Sequence, residues 1–321
     1  MHSFLELSKL FEERFNTRHF PGHTESLYDP AQYILGIGGK RIRPVCVLLA
    51  NELFDNIHAD AYHVATAVEL FHNFSLIHDD IMDKAPVRRG VPTVHTKFGE
   101  STALLAGDVM LVKAYEQLNR IQVGYLQRVL QLFNTTATQV CEGQQLDMDF
   151  EKRSTVSFDE YVKMISLKTS VLVAASLQLG AIIGGSGEGN QKHLYEFGKN
   201  LGIAFQVQDD YLDAFGDPDK FGKQVGGDIL ANKKTFLLIQ AMAVAADNDK
   251  KELEQLLNSD PADKVEKVLT IFKKCKVDEW AQQLKDNYFQ TAIKHLEDTA
   301  VLSARKKPLR ELAEYLMVRE S

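Results

Sequence analysis

Residues 61–83 read AYHVATAVELFHNFSLIHDDIMD. Ala61–Ile77 is built of good helix formers, and Val64, Val68, Phe71 and Ser75 recur at the three- and four-residue spacing of one helical face. The run ends in Asp79-Asp80-Ile81-Met82-Asp83, a DDxxD cluster. Positions i and i+4 share a face, so Asp79 stacks over Asp83. A second helical run, Gln191–Ala214, carries the same ending, Asp209-Asp210-Tyr211-Leu212-Asp213. Carboxylates crowded on one face repel each other and call for a cation. Mg2+ suits an oxygen-only donor set that it shares with phosphate. One such cluster alone would read as a solvated helix end. Two of them, each closing an apolar helix, read as metal sites.

The same periodicity continues outward. Phe4, Leu7, Leu10 and Phe11 fall on one face, and Ser101–Leu118, Val123–Gly143 and Phe158–Gly180 repeat the pattern. Strand alternation is missing, and the eight prolines fall largely at boundaries such as Pro21, Pro44, Pro92, Pro218 and Pro261. Loops are expected at 84–96, 184–190, 215–233 and 247–250, none long enough to link domains. The expectation is one all-α domain over residues 1–321. Its last part, from Lys250 onward, is charged and amphipathic and carries no motif. Val171–Gly185 is the most apolar stretch; it is short and broken by Ser176, Gln178 and Gly180, so it reads as a buried helix, not a transmembrane segment.

Composition narrows the function. The 321 residues hold 37 basic and 44 acidic side chains, a formal charge of −7 that argues against bulk nucleic-acid binding. Cys46, Cys141 and Cys275 are scattered, which excludes a disulfide framework or zinc cluster and fits a reducing, cytoplasmic setting. The N-terminus lacks the core of a signal peptide.

Cations flank both acidic clusters. Gly38-Gly39-Lys40-Arg41-Ile42-Arg43-Pro44 sets three positive charges beside two glycines, whose backbone amides can approach an anion. Arg88-Arg89-Gly90 follows the first cluster, and Lys223, Lys233 and Lys234 follow the second. Lys168-Thr169 lies between apolar helical stretches. Guanidinium and ammonium groups bind phosphates. The alternation suggests two anionic groups, one held through metal and one held directly. No GxSxG, Walker, HExxH or GxGxxG motif competes. His78-Asp79, with His63 and His72, would suit a metal-dependent phosphohydrolase, but that leaves the second DDxxD unexplained.

The ordered set GGKRIRP, LIHDDIMD, RRG, GQQLD, KT, FQVQDDYLD, GKQVGGD and NKKT, over Gly38–Thr235, resembles the trans-type polyprenyl diphosphate synthases. The resemblance implies the isoprenoid synthase fold: all-α, with helices around a deep central cavity, commonly as a homodimer. It implies condensation of isopentenyl diphosphate with an allylic diphosphate (dimethylallyl, geranyl or farnesyl) and release of diphosphate. Mg2+, three ions with substrate bound, would be held by Asp79, Asp83 and Asp209, with Asp80, Asp210 and Asp213 behind them. Arg88, Lys168, Lys223 and Lys233 match positions on the allylic diphosphate. Lys40, Arg43, His72 and Arg89 match positions on isopentenyl diphosphate. Thr169 and Gln206 match residues beside the developing allylic cation, and Gln144 and Asp147 belong to a further polar motif.

Chain length in this family is set on the helix ahead of the first DDxxD. Phe74 lies five residues before Asp79 and Phe71 lies eight before, while position 75 is Ser. The first motif lacks the two extra residues of the bacterial farnesyl type. The expectation is a short product, C20 ahead of C15, with a longer-chain synthase as the alternative. A terpene cyclase would not need the GGKRIRP and RRG cations. A non-catalytic partner subunit commonly loses an Asp cluster, and this chain keeps both.

Overall fold

Of the described residues, 78% are helical. The structure, a computed structural model, describes residues 1–216, 225–259 and 261–318. In chain order the helices are α1 (Phe4–Phe15), α2 (Glu25–Gly36), α3 (Ile42–Glu52) and α4 (Ala59–Met82). A two-stranded hairpin follows, β1 (Val87–Arg88) and β2 (Val91–Pro92). Next come α5 (Val94–Phe98), α6 (Glu100–Leu118), α7 (Val123–Lys152) and α8 (Phe158–Ile165). One π-helical turn, Ser166–Ser170, leads into α9 (Val171–Ile183) and α10 (Glu188–Phe215). The remainder is α11 (Gly227–Leu230), α12 (Phe236–Val244), α13 (Asp247–Leu257), α14 (Lys264–Lys274), α15 (Val277–Asp298) and α16 (Ser303–Val318).

Local chemistry sets the helix starts. Ser3 caps α1 and Ser157 caps α8, and in each the third helical residue, Glu6 or Glu160, bonds back to the cap backbone. Asp247 and Asp249 stand in the first turn of α13, where the positive end of the helix dipole favours carboxylates. Residues 247–250, expected as a loop, are therefore helix. The segment 84–96, also expected as a loop, holds the hairpin. Arg89 (φ 51°) and Gly90 (φ 78°) form its two-residue turn, both left-handed, as a type I′ hairpin turn requires.

The described residues divide into two compact units. The first comprises Met1–Thr135, Ala175–Tyr195 and Thr299–Leu309. In it α4 packs along α6 and α3, and α1 packs on α3. Leu7, Phe11, Phe15, Leu48, Leu49, Val64 and Val68 are fully or nearly fully buried there. Two glycines allow close approach. A Cβ on Gly180 would lie 2.1 Å from the Val47 carbonyl oxygen, and one on Gly107 would lie 2.3 Å from His78 Nε2. The second unit comprises Thr136–Ala174, Glu196–Asp298 and Arg310–Ser321. Its core joins Phe150, Tyr161, Ile165, Val207, Phe236, Leu253, Phe272 and Ala281.

Helix α7 runs nine residues past Gly143, the end expected from the sequence. The apolar run 171–185 continues a longer helical segment, Phe158–Ile183, whose 26 residues are apolar enough to cross a membrane by length and composition. Of its most apolar window, 78% is buried within the protein, as in a core helix.

Candidate active site

The basic motifs meet on one face of α4. Gly38 and Gly39 have φ of 87° and 150°, and a Cβ on Gly39 would come within 2.8 Å of Arg89 Nη1. Only glycine lets the Arg89 guanidinium lie on this loop, where it donates to the Gly38 carbonyl oxygen. Lys40 stands exposed on the same loop. Arg43, in the first turn of α3, donates to His72 Nε2 at 3.2 Å. An arginine can only donate, so Nε2 is the acceptor and the His72 proton sits on Nδ1. Burial, and then Arg43, Arg89, Arg88 and Arg41 in turn, hold the His72 pKa well below its ordinary value, so the ring is neutral. Arg43 Nε is buried without a hydrogen-bond partner among the described residues. A buried cationic donor left in this state is poised for an anion.

Arg41 behaves differently from its neighbours. It is buried, ion-paired to Glu69, and donates to the Leu35 carbonyl oxygen at 2.9 Å. Glu69 also accepts from Asn73 Nδ2 at 3.1 Å. This pair fastens the glycine loop to α4. Glu69 carries no motif, and its role follows only from a contact across 28 residues.

The first acidic cluster occupies the last turn of α4, with Asp83 as the C-cap, and that turn holds no basic residue. The carbonyl end of a helix is negative, so these carboxylates stand at the unfavourable pole and favour a cation. Arg88 reaches back from β1. Its Nε and Nη2 contact both Asp80 oxygens at 2.7–3.0 Å, and Nη2 lies 3.5 Å from Asp79 Oδ2. Burial opposes the Arg88 charge, but Asp80 outweighs it and the net shift is upward. Asp80 is buried, Asp79 half-buried and Asp83 exposed.

The second cluster closes α10, again with no basic residue in the last turn. Asp210 is buried; Tyr161 Oη donates to its Oδ2, and Gln206 Nε2 donates to its Oδ1 at 2.9 Å. Burial, followed by the charge of Asp228, pushes the Asp210 pKa up to about 7. Asp213 Oδ2 accepts the Asp228 backbone N–H at 3.0 Å. Lys233 Nζ lies 3.2 Å from Asp228 Oδ1. Lys223 lies outside the described residues. Both acidic ends offer oxygen donors alone at negative helix poles, a set that fits a hard divalent ion.

Lys168 and half-buried Thr169 sit on the π-helical turn, a bulge that often marks a functional site. Lys168 Nζ donates to Asp147 Oδ2 at 2.6 Å. Two glycines hold the bulge. A Cβ on Gly143 of α7 would lie 2.2 Å from the Lys168 amide nitrogen, and one on Gly202 of α10 would lie 2.8 Å from Ser170 Cα. Gln144 Nε2, one residue along α7, is buried and without a partner among the described residues.

Upstream on α4, Phe71 is 1% exposed and Phe74 is half-buried. Their rings lie 5.6 Å apart, and Phe133 meets Phe71 edge-on at 5.4 Å. Ser75 turns its hydroxyl back onto the His72 carbonyl oxygen at 2.8 Å. Sequence reasoning leaves Tyr161 and Gly202 unassigned, because their partners lie far away in the chain; Gly143 and Asp228 fall inside the GQQLD and GKQVGGD motifs but carry no role there.

Comparison with known proteins agrees with this chemistry. The polyprenyl synthetase family model matches residues 24–274. A short chain isoprenyl diphosphate synthase from Methanothermobacter thermautotrophicus is 37% identical over 98% of this chain and 96% of its own. A geranylgeranyl diphosphate synthase from Saccharolobus solfataricus is 37% identical over 98% of both chains. A crystal structure of geranylgeranyl pyrophosphate synthase superposes with a TM-score of 0.94 at 42% identity, covering 100% of both chains. The chain belongs to the polyprenyl synthetase family and is a prenyltransferase.

Proposed function

We propose that this protein condenses isopentenyl diphosphate with an allylic diphosphate, with Mg2+, to give a C20 prenyl diphosphate. One observation carries the reading: helix α4 meets a cationic cluster at His72 and carries an acidic cluster at its end. His72, with Arg43 and Arg89 beside it, offers a cationic site that needs no metal. Asp79, seven residues on and about 10 Å along the axis, begins an acidic site suited to metal. Two diphosphates bound by different chemistry are what a condensation of two prenyl diphosphates requires.

Asp79, Asp83 and Asp209 would hold the metal, with Asp80 and Asp213 behind them. When bound, Mg2+ supplies charge that stabilises a departing diphosphate. Asp80 fixes Arg88 by its two-pronged contact, so the guanidinium meets the allylic diphosphate in one orientation. Lys168, Lys223 and Lys233 add charge to the same group. Lys40, Arg43, His72 and Arg89 anchor isopentenyl diphosphate, with neutral His72 accepting from Arg43 and donating through Nδ1. Gln206 and Thr169 set oxygen dipoles beside the allylic carbon as positive charge develops. The proton lost after bond formation leaves with the released diphosphate, so no side-chain base is assigned.

Phe71 and Phe74 would form the floor that stops the growing chain. Packing of Phe71 against Phe133 supports a rigid floor. Leu104, Leu105 and Val112 are 49%, 56% and 57% exposed on one side of α6, an apolar stripe that a second copy of the chain would cover in a homodimer. The three free cysteines suit the cytoplasm. The test incubates labelled isopentenyl diphosphate with dimethylallyl, geranyl or farnesyl diphosphate, with Mg2+ or with EDTA. A C20 product that requires Mg2+ is expected. No condensation with any starter would overturn the reading.

A further inference from the structure

Tyr161 is a buried phenol that no recognised motif contains. Its place is set locally. The Ser157–Glu160 capping box starts α8, and Arg153 grips Glu160 with two contacts at 2.8 and 3.2 Å. The next residue is Tyr161, whose side chain is directed into the core beside Phe236, with ring centroids 6.2 Å apart. Its hydroxyl bonds one oxygen of buried Asp210, and the other oxygen takes Gln206 Nε2.

This chain of bonds has a direction. The carboxylate accepts from both sides, so it pulls the NH2 end of Gln206 toward itself. The carbonyl end of the same amide must then point away from Asp210. The position of Gln206 is fixed from the other side as well. The Tyr161–Asp210 bond and the close approach of Gly202 to Ser170 tie the α8–π-turn segment to α10 at two points in antiparallel register. Gln206 lies between these points on α10, four residues from each of Gly202 and Asp210.

We propose that Tyr161 is a positioning residue: through Asp210 it holds the Gln206 amide so that its oxygen, and not its NH2, faces the reacting allylic carbon. With the phenol removed, Asp210 keeps only one donor and its side chain is free to swing, so the amide it holds loses its fixed aim. A displaced amide would turn its oxygen dipole away from developing positive charge, which raises the barrier without changing how either diphosphate is bound. The inference rests on the prenyltransferase reading above. Wild-type enzyme inactive on every prenyl diphosphate would remove that reading. Wild-type turnover with an unimpaired Tyr161→Phe variant would remove only this one.

The experiment is a double-mutant cycle read in steady-state kinetics. Tyr161→Phe is expected to lower kcat about tenfold, with KM for both substrates and the Mg2+ requirement within about twofold of wild type. In a Gln206→Ala background the same substitution should change kcat by less than about twofold, because the group it positions is gone. Asp210→Asn is the second variant, should Tyr161→Phe fold poorly. Its side-chain NH2 can bond the Gln206 oxygen and reverse the amide, so its kcat should fall further than that of Tyr161→Phe, again mostly lost in the Gln206→Ala background. Unchanged kcat in Tyr161→Phe, an undiminished loss in the Gln206→Ala background, or a shifted Mg2+ requirement would each overturn the proposal.

Discussion

Replacing Gly143 by alanine should cripple turnover through backbone crowding alone. The added Cβ would sit 2.2 Å from the Lys168 amide nitrogen, 2.6 Å from Lys168 Cα and 2.7 Å from the Leu167 carbonyl carbon. Ordinary contact begins near 3.4 Å, so α7 and the π-helical turn must separate by about 1.2 Å. The obstacle is backbone, which cannot swing aside as a side chain can. Overpacking of this kind costs about 1–3 kcal/mol. For a unit of this size that is about 2–12 °C of melting temperature. The larger effect is on chemistry. Lys168 and Thr169 move with the turn, and misplacement by about 1 Å costs about a hundredfold in rate. The assay pairs diphosphate release at saturating substrates with thermal melting followed by circular dichroism. Gly124→Ala is the control: it lies on α7, where an added Cβ would meet nothing within 4 Å, and should be neutral or slightly stabilising. A Gly143→Ala enzyme with wild-type kcat and melting temperature would refute the reasoning.

Arg89→Ala should raise KM for isopentenyl diphosphate at least tenfold and leave the allylic KM within about threefold; equal effects on both would show that the cations are wrongly divided. Gly39→Ala, which crowds the same guanidinium, should reproduce that pattern more weakly. Phe74→Ala should lengthen the product, read by chromatography, whereas Phe71→Ala should also destabilise the protein by about 3–5 kcal/mol because Phe71 is fully packed; unchanged chain length in both places the floor elsewhere. Asp210 titrates near 7 when folded, against about 3.9 when unfolded. Between those values the folded state holds the extra proton, so in EDTA wild-type stability falls as pH rises from about 4 through 7. Asp210→Asn lacks that contribution, and its melting temperature relative to wild type should climb between pH 5 and pH 8; a flat difference would contradict the assignment.

The helices, the two aspartate clusters closing α4 and α10, and the cationic motifs are legible in the chain because each is a local pattern. Periodicity needs neighbours three and four residues away, and DDxxD needs five consecutive positions. Local reasoning fails where tertiary contact or dipole chemistry decides. It ends α7 at Gly143, yet the helix runs on to Lys152 and that glycine admits the backbone of Lys168. It makes 247–250 a loop, although the aspartates there stabilise a helix start. Tyr161 with Asp210, Arg89 with Gly38, and Arg41 with Glu69 are separated by 49, 51 and 28 residues. No spacing rule reaches that far, because such pairs form only once packed helices bring their side chains together. Which chemistry the chain carries is thus written in its residue order. How each group is held and aimed is a matter of packing, because orientation comes from buried partners that the local pattern does not contain.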